Sequence, residues 1–523
     1  MTVINTNVAS INAQAAMRTN TSAMNNAMER LSTGVRINSA SDDAAGLAIT
    51  DRMTAQIKGL GQAIRNSTTS QQMIDTAEGA QNEVTNILQR LRELSVQSAN
   101  DTNTALDRTA IQKEADQLVA EIDRISSQTT WNGMSLLDGS FTSKTLQIGA
   151  DAGQTVSLSV SSTSSSNIGS NTMTSGGLLV IDTAAAGTTA MAADSLTVTG
   201  SEGTATVTIA ANKTAKEVAA LFNAETSATG VSASAVTIME ISANPAKTGG
   251  GSAPNIVAGG TTFSFTVNGT AVASHTNTET DMRNMKDAIN AVSGTTGVSA
   301  KMGATNADVI LTDADGDNIV IDSFVTGDDD TILFVEMQQE DGETASGTVA
   351  ADASDEVGHV GMLKDDSVST SAFGMVAATG VVSLSDTAAF TVVGGDAGVA
   401  AGDASNSHFQ GASKTSTLVT VGATDLTTQA GAKSAISAID GALNQVASRR
   451  ASLGAISNRI DNTIANLTNI NQNVQASRSS ILDTDFSVET SQLTKSQILQ
   501  QAATSMLAQA NASKQSVLSL LQG

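Results

Sequence analysis

From Ile439 to Ile481 an apolar residue recurs at every seventh position without a miss: Ile439, Val446, Leu453, Ile460, Leu467, Val474 and Ile481. The companion positions three residues earlier are Ile436, Leu443, Arg450, Ser457, Ile464, Asn471 and Arg478. A strict seven-residue repeat set against 3.6 residues per turn drifts around a straight helix, so it stays covered only by supercoiling left-handedly on a partner helix. At ~1.5 Å per residue the repeat predicts a helix roughly 70 Å long. Residues 455–522 contain neither glycine nor proline, and a last stripe runs through Leu499, Ala503, Met506, Ala510, Ser513, Val517 and Leu520. A chain with such an end needs a long helical partner.

The other end supplies one. The first 33 residues also lack glycine and proline, the strongest helix breakers. Ile4, Val8, Ile11 and Ala15 form one stripe; after a phase slip, Met17, Met24, Met28, Leu31 and Val35 form another. Ser39-Ala-Ser-Asp-Asp-Ala-Ala-Gly46 then offers capping residues and a glycine, the signature of a connector. Met73, Ala77, Ala80, Val84, Ile87, Leu91 and Leu94 step 4-3-4-3-4-3, one apolar seam. After a polar break at Asn100–Asn103 the rhythm returns in Ile111, Ala115, Leu118, Ile122 and Ile125. Asn132-Gly133 predicts a tight turn between Thr129-Thr-Trp131 and Met134-Ser-Leu-Leu137.

The middle differs in kind. It is rich in glycine, serine and threonine, with alternating runs at Ser195–Thr199, Thr206–Ile209, Phe263–Val267 and Val309–Thr312 that read as short strands. Ala220-Leu-Phe-Asn-Ala224 with Thr229-Gly-Val-Ser-Ala233 recurs as Ala288-Ile-Asn-Ala291 with Thr296-Gly-Val-Ser-Ala300, an internal repeat offset by 67 residues. Residues 161–424 hold 29 acidic against 8 basic side chains, so most of the net charge of −24 lies there. Nearly neutral ends pack readily on like copies, and an acidic middle repels them. Nucleic acid is a poor partner for such a surface. Neither end can bury its stripe alone in water. The expected fold is therefore α+β and multidomain. N- and C-terminal helices pair as a coiled coil or helical bundle, and a β-rich outer region is inserted between them.

Chemistry is sparse. Cysteine and tyrosine are absent, tryptophan occurs once, at Trp131, and aromatics make up 2%. A catalytic or carbohydrate-binding insertion would bring aromatic platforms or clustered titratable groups, which weighs against an adhesin or a filament-borne enzyme. His275, His359 and His408 are scattered, and no zinc helix, serine elbow or phosphate-binding loop occurs. Asp313-Ala-Asp-Gly-Asp-Asn318 looks superficially like a calcium loop, but its glycine comes two residues early and Phe324 stands where a bidentate glutamate is needed. A hairpin turn with solvated acids is the better reading, as is a solvated loop for Asp328–Asp330. Arg449 and Arg450 suit ion pairs between subunits. No cofactor or metal is expected. No stretch approaches the roughly 18 apolar residues of a membrane span, and the N-terminus lacks a secretory signal pattern.

Several long motifs resemble one family. Val35-Arg-Ile-Asn-Ser-Ala-Ser-Asp-Asp-Ala-Ala-Gly46 and Leu88-Gln-Arg-Leu-Arg-Glu-Leu-Ser-Val-Gln-Ser-Ala-Asn100 are similar to the N-terminal half of bacterial flagellins. Ser448-Arg-Arg450, Ser477-Arg-Ser-Ser-Ile-Leu-Asp-Thr-Asp-Phe486, Gln497-Ile-Leu-Gln-Gln-Ala502 and Met506-Leu-Ala-Gln-Ala-Asn511 are similar to the C-terminal half. The likeness covers about residues 1–165 and 425–523; the repeat in the middle resembles, more weakly, a module found in some flagellin insertions. A hook-filament junction protein of the same superfamily would share the helical ends, but the motif at 88–100 is that of flagellins.

The resemblance implies a structural subunit of the flagellar filament, polymerising with copies of itself, serving motility and secreted to the extracellular flagellum. Implied partners are the type III export apparatus, an export chaperone on about residues 483–523, the filament cap and the hook-junction proteins. The resemblance divides the chain into a terminal coiled-coil domain (1–44 and 483–523), a helical bundle with a small β-hairpin (45–174 and 426–482), and a variable outer region (175–425). The polymerisation seam falls on Ile4, Val8, Ile11, Leu31, Leu499, Ala503, Met506, Ala510, Val517 and Leu520. A contact surface for the animal Toll-like flagellin receptor falls on Gln89, Arg90, Leu94, Ile111 and Glu114, of which Leu94 and Ile111 also belong to the apolar seam.

Overall fold

Local capping chemistry sets where each long helix begins. In a computed structural model, which describes residues 6–175, 179–182, 193–243, 260–278, 280–303, 305–326, 332–337, 349–350, 360–364, 375–394, 409 and 414–522, helix α1 spans Val8–Thr33. The Asn7 carboxamide oxygen accepts from the Ser10 amide at 3.1 Å and starts it. Gly34 ends it in the left-handed conformation (φ +73°), with its amide donating to the Arg30 carbonyl. Helix α2 spans Ala44–Ser98; the Asp43 carboxylate accepts from the amides of Ala45 and Gly46. Helix α3, Ala105–Gln128, opens on a capping box in which Thr104 and Asp107 satisfy each other's backbone amides. The expected hairpin follows, with Thr130 opposite Ser135 and Trp131 opposite Met134. Asn132 and Gly133 both have positive φ, the geometry of a type I′ turn.

The middle contributes an eight-stranded, a seven-stranded and a four-stranded sheet among the described residues. All four strands expected from alternation are present, as Asp194–Thr199, Thr204–Ile209, Thr261–Val267 and Asp308–Asp313. The strand Ser232–Ser242 is central to the largest sheet, paired antiparallel to Asp308–Asp313, Val381–Asp386 and Ile332–Met337. Where the chain enters and leaves the middle, Gly169–Thr174 and Thr417–Thr420 pair antiparallel.

The internal repeat is a structural duplication. Helices α4 (Ala215–Ala224) and α5 (Thr226–Thr229) precede the strand at Ser232; α6 (Arg283–Ala291) and α7 (Ser293–Thr296) precede the strand at Val298. In the first copy the Asn223 carboxamide donates to the Ala233 carbonyl and accepts from the Ala233 amide. Asn290 does the same with Ala300. Gly230 and Gly297 close the short helices with φ +81° and +76°, so a side chain at either would be strained.

The aspartate-rich turn is not a hairpin. Asp308–Asp313 and Ile319–Thr326, which flank it, belong to different sheets. The turn lies beside α4: the Lys216 amide donates to the Gly316 carbonyl, and its ammonium pairs with Asp317 at 2.8 Å and Asp315 at 3.2 Å. A cation therefore does sit among these carboxylates, and it is a lysine side chain. His275 stacks beside Phe263 and meets Phe265 edge-on. His359, His408 and Asp328–Asp330 lie outside the described residues.

Helix α8 spans Gln429–Leu482 and helix α9 spans Phe486–Gln522. The chain divides into two compact units: residues 1–76, 142–159 and 452–523, and residues 77–141 and 160–451. In the second, α2 from Val84 to Leu94 packs with Ile111, Ala115 and Ile122 of α3 and with Ala432, Ile439 and Val446 of α8. In the first, Leu60 and Ala63 pack on Leu467. Ile439, Val446, Leu453, Ile460 and Leu467 are all buried, as their spacing requires, and Val474 and Ile481 are partly buried.

Candidate assembly surface

The chain extremities share a level at which both helices break. Between α1 and α2, Val35 forms an antiparallel bridge with Asp483, which lies between α8 and α9. The Arg36 amide donates to the Leu482 carbonyl at 2.6 Å, and the Thr484 amide donates to the Gly34 carbonyl at 3.0 Å. The Arg36 guanidinium donates to the Ile481 carbonyl, the last turn of α8. Such cation donation suits a helix C-terminus. Asp485 then caps α9, accepting from the amides of Ser487 and Val488. Asp42 accepts from the amides of Asn38 and Ser39, and these donors hold its carboxyl below the usual carboxylate range. Gly46 has no room for a side chain, because a Cβ would lie 2.5 Å from the Asp43 carboxylate and 2.6 Å from Ile37.

Beyond this junction α1 and α9 pack on each other, and their intramolecular seam takes in only part of the apolar stripes. On α1 the covered positions include Ser10, Ala13, Met17, Asn20, Met24, Ala27 and Leu31; on α9 they include Leu493, Ser496, Gln500, Ala503, Leu507 and Ala510. The spacing alternates three and four on both helices, but many of the residues are small or polar. Ala27 and Ser496 are the most deeply buried. Small residues let two backbones approach, and the Asn7 carboxamide reaches across to donate to the Ala510 carbonyl at 3.1 Å.

This places the expected seam residues in two groups. Leu31, Ala503 and Ala510 face the partner helix. Val8 (58% exposed), Ile11 (54%), Leu499 and Met506 do not. The seam therefore takes in Met17, Met24, Leu31, Leu493 and Leu507 together with small and polar residues, while Val8, Ile11, Leu499 and Met506 stay uncovered in the single chain. Ile4 lies outside the described residues; Val517 and Leu520 fall within α9, with side chains outside the described set. Phe486, Val488 and Ile498 are exposed as well. At about 100° per residue, Val488, Leu499 and Met506 fall on one stripe, roughly a quarter-turn from the seam.

On the bundle, Arg90 donates to Glu114 (3.0 and 2.8 Å) and to Glu93 (2.8 Å), and these carboxylates raise the guanidinium pKa further. Gln89, Arg90 and Glu114 form an exposed polar face. Leu94 and Ile111 are buried in the core beneath it. Among the described residues no group of three or more acidic, histidine or cysteine side chains could hold a metal ion. No described helix is long and apolar enough to cross a membrane.

Residues 4–142 match the bacterial flagellin N-terminal helical region, and residues 436–521 match the bacterial flagellin C-terminal helical region. B-type flagellin of Pseudomonas aeruginosa is 36% identical over 99% of both chains. The chain belongs to the bacterial flagellin family. Flagellin of Salmonella typhimurium is 35% identical over 99% of both chains. A solved structure of FliC from Burkholderia pseudomallei covers 74% of this chain and 99% of that one, at 20% identity and a TM-score of 0.28. As a flagellin, the protein is a structural subunit of the flagellar filament and not an enzyme. Sequence reasoning read the first break, at Ser39–Gly46, as a connector and named Ala503 and Ala510 as small seam residues; it did not find the backbone bonds that tie the two breaks together. The aspartates at 43 and 485 were the available signal for both restarts.

Proposed function

We propose that residues 1–44 and 483–523 are the polymerisation element of this flagellin, and that Val8, Ile11, Leu499 and Met506 make their contacts with neighbouring copies. Residues 45–174 with 426–482 then form the bundle behind it, and 175–425 the outer region. The observation that supports this most directly is that, with α1 and α9 packed on each other, Val8, Ile11, Val488, Leu499 and Met506 are still exposed. Isolated helices of this kind are marginal in water, so neighbours supply the burial that orders them. Deleting 483–523 should abolish filaments, and deleting about 180–420 should preserve them. Electron microscopy of cells carrying each version tests this; filaments from the C-terminal deletion would refute it.

The same exposed stripe on α9 suits an export chaperone that shields it before passage through the type III apparatus to the extracellular filament, with cap and hook-junction proteins as later neighbours. The exposed Gln89, Arg90 and Glu114 suit recognition by the Toll-like flagellin receptor, with Leu94 and Ile111 supporting that face from within the core. Wild-type monomer should activate receptor-bearing reporter cells, and Arg90→Ala should weaken the response. A silent wild-type monomer ends that part of the reading.

A further inference from the structure

Arg449 and Arg450 are adjacent in sequence and opposite in circumstance. The Arg450 guanidinium has a carboxylate of its own, Glu78, at 3.7 Å. Arg449 is partly buried and donates through Nη1 to a single acceptor, the Ser162 carbonyl, at 2.5 Å. No carboxylate lies within ion-pair distance of it among the described residues. Arg90, Arg92, Arg124 and Arg283 each hold an acid at the protein surface, whereas this more buried arginine has none. Its burial works against its charge, and its pKa is pushed down for that reason alone. Asp123 of α3, which reaches the serine turn, accepts from the amide and hydroxyl of Ser165. A guanidinium removed from water without a counter-ion is costly, and it presents a planar fork that fits a carboxylate.

The surroundings favour an anion as well. Ser162, Ser164 and Ser166 form a chain of hydroxyls beside the Arg449 acceptor, linked at 3.0 and 3.2 Å, and Asn167 donates into it at 2.7 Å. We propose that Arg449, with the serine turn at 162–166 that it donates to, is an inter-subunit docking site that receives an aspartate or glutamate carboxylate from a second copy of this chain. The occupant is a second copy because the protein is a filament subunit, and because a chain with 51 acidic and 27 basic residues carries carboxylates in excess of its own cations. The proposal rests on that function but adds a specific contact to it.

The test compares wild type with Arg449→Gln, Arg449→Lys and Arg449→Met in full-length protein. Critical concentration is measured by sedimentation after seeding with filament fragments, at low and high sodium chloride, and monomer melting is followed by circular dichroism. Arg449→Gln and Arg449→Met should raise the critical concentration at least tenfold at low salt with an unchanged monomer melt. Arg449→Lys should fall between, because an ammonium keeps the charge but loses the fork. High salt should narrow the gap. Arg449→Met keeps most of the apolar stem, so normal polymerisation by that variant would show that only packing matters and would overturn the proposal. Tight binding of inorganic phosphate to wild-type monomer, with no change in critical concentration for Arg449→Gln, would assign Arg449 to a small anion and would also overturn it. Failure of wild type itself to polymerise would count against the filament reading, not against this contact.

Discussion

Replacing Val488, Leu499 and Met506 together with alanine separates folding from assembly. These side chains lie on one stripe of α9 and are 62%, 42% and 63% exposed in the single chain. Full burial of such a side chain is worth about 1.5–3 kcal/mol, so the uncovered parts leave about 1 kcal/mol each for neighbouring copies, by the same area rule. Removing all three should weaken assembly by roughly 3 kcal/mol, which is about a hundredfold in critical concentration. The monomer should barely notice, because surface substitutions away from special features shift stability by about 0.5 kcal/mol or less. Alanine also has the best helix propensity, so α9 is not weakened by the change. Sedimentation after seeding reads the first quantity, and circular dichroism of the monomer reads the second. An unchanged critical concentration would refute the assignment of this stripe to neighbouring copies. A collapsed monomer melt would show that the stripe has an intramolecular role the geometry denies.

Three further outcomes follow from individual side chains. Gln81 is fully buried in the bundle with both amide atoms lacking a partner, so Gln81→Leu should stabilise the monomer by about 1–3 kcal/mol in urea unfolding; a loss would refute the reading. Asn290 makes two backbone bonds with Ala300. Asn290→Ala should therefore cost about 1–3 kcal/mol and speed hydrogen exchange at the Ala300 amide, with no such effect at Ala233. His275 keeps Nδ1 against the Ala273 carbonyl, and burial pushes its pKa below the ordinary 6.5. The unfolded chain then binds the extra proton first, so the contribution of His275 to stability is complete above pH ~6.5 and is lost as pH falls toward the folded pKa. An NMR titration midpoint above 6.5 for this ring would reverse the sign.

The sequence displayed the architecture best where one helix face does one job. The repeat from Ile439 to Leu467 reports burial residue by residue, since those side chains face only the inside of the same chain. The strands of the middle were legible by alternation, and the duplicated asparagines by spacing. The seam of α1 and α9 was legible only in part. The stripes picked out Met17, Met24, Leu31, Ala503 and Ala510, which are covered, together with Val8, Ile11, Leu499 and Met506, which are not, because apolar periodicity does not separate a face covered within one chain from a face beside it. The turn at Asp313 misled for another reason. Two strands joined by a short turn usually pair, but these two find partners in different sheets, and no local pattern encodes that. Arg449 and Arg450 are separated by a step of about 100° around one helix, which the primary sequence cannot weigh without knowing what packs on each side.

The register of the terminal pair is held by polar groups. At one end Gly34, Arg36, Leu482 and Thr484 exchange backbone hydrogen bonds; at the other Asn7 reaches the Ala510 carbonyl. Such bonds have direction and little apolar area, so they fix how α1 and α9 align while adding only about 0.5–1.5 kcal/mol each. A seam made wholly of large apolar side chains could have set the same alignment, but it would have drawn Val488, Leu499 and Met506 inward as well and left α9 with less to present. Holding register with hydrogen bonds and small residues keeps Val488, Leu499 and Met506 uncovered. It also keeps the isolated pair marginal, since alanine and serine bury little area. The two properties have one cause. A substitution that fills the seam, such as Ser496→Leu, should therefore disturb both together: it forces α1 and α9 apart and moves the outward stripe relative to any neighbour it must meet.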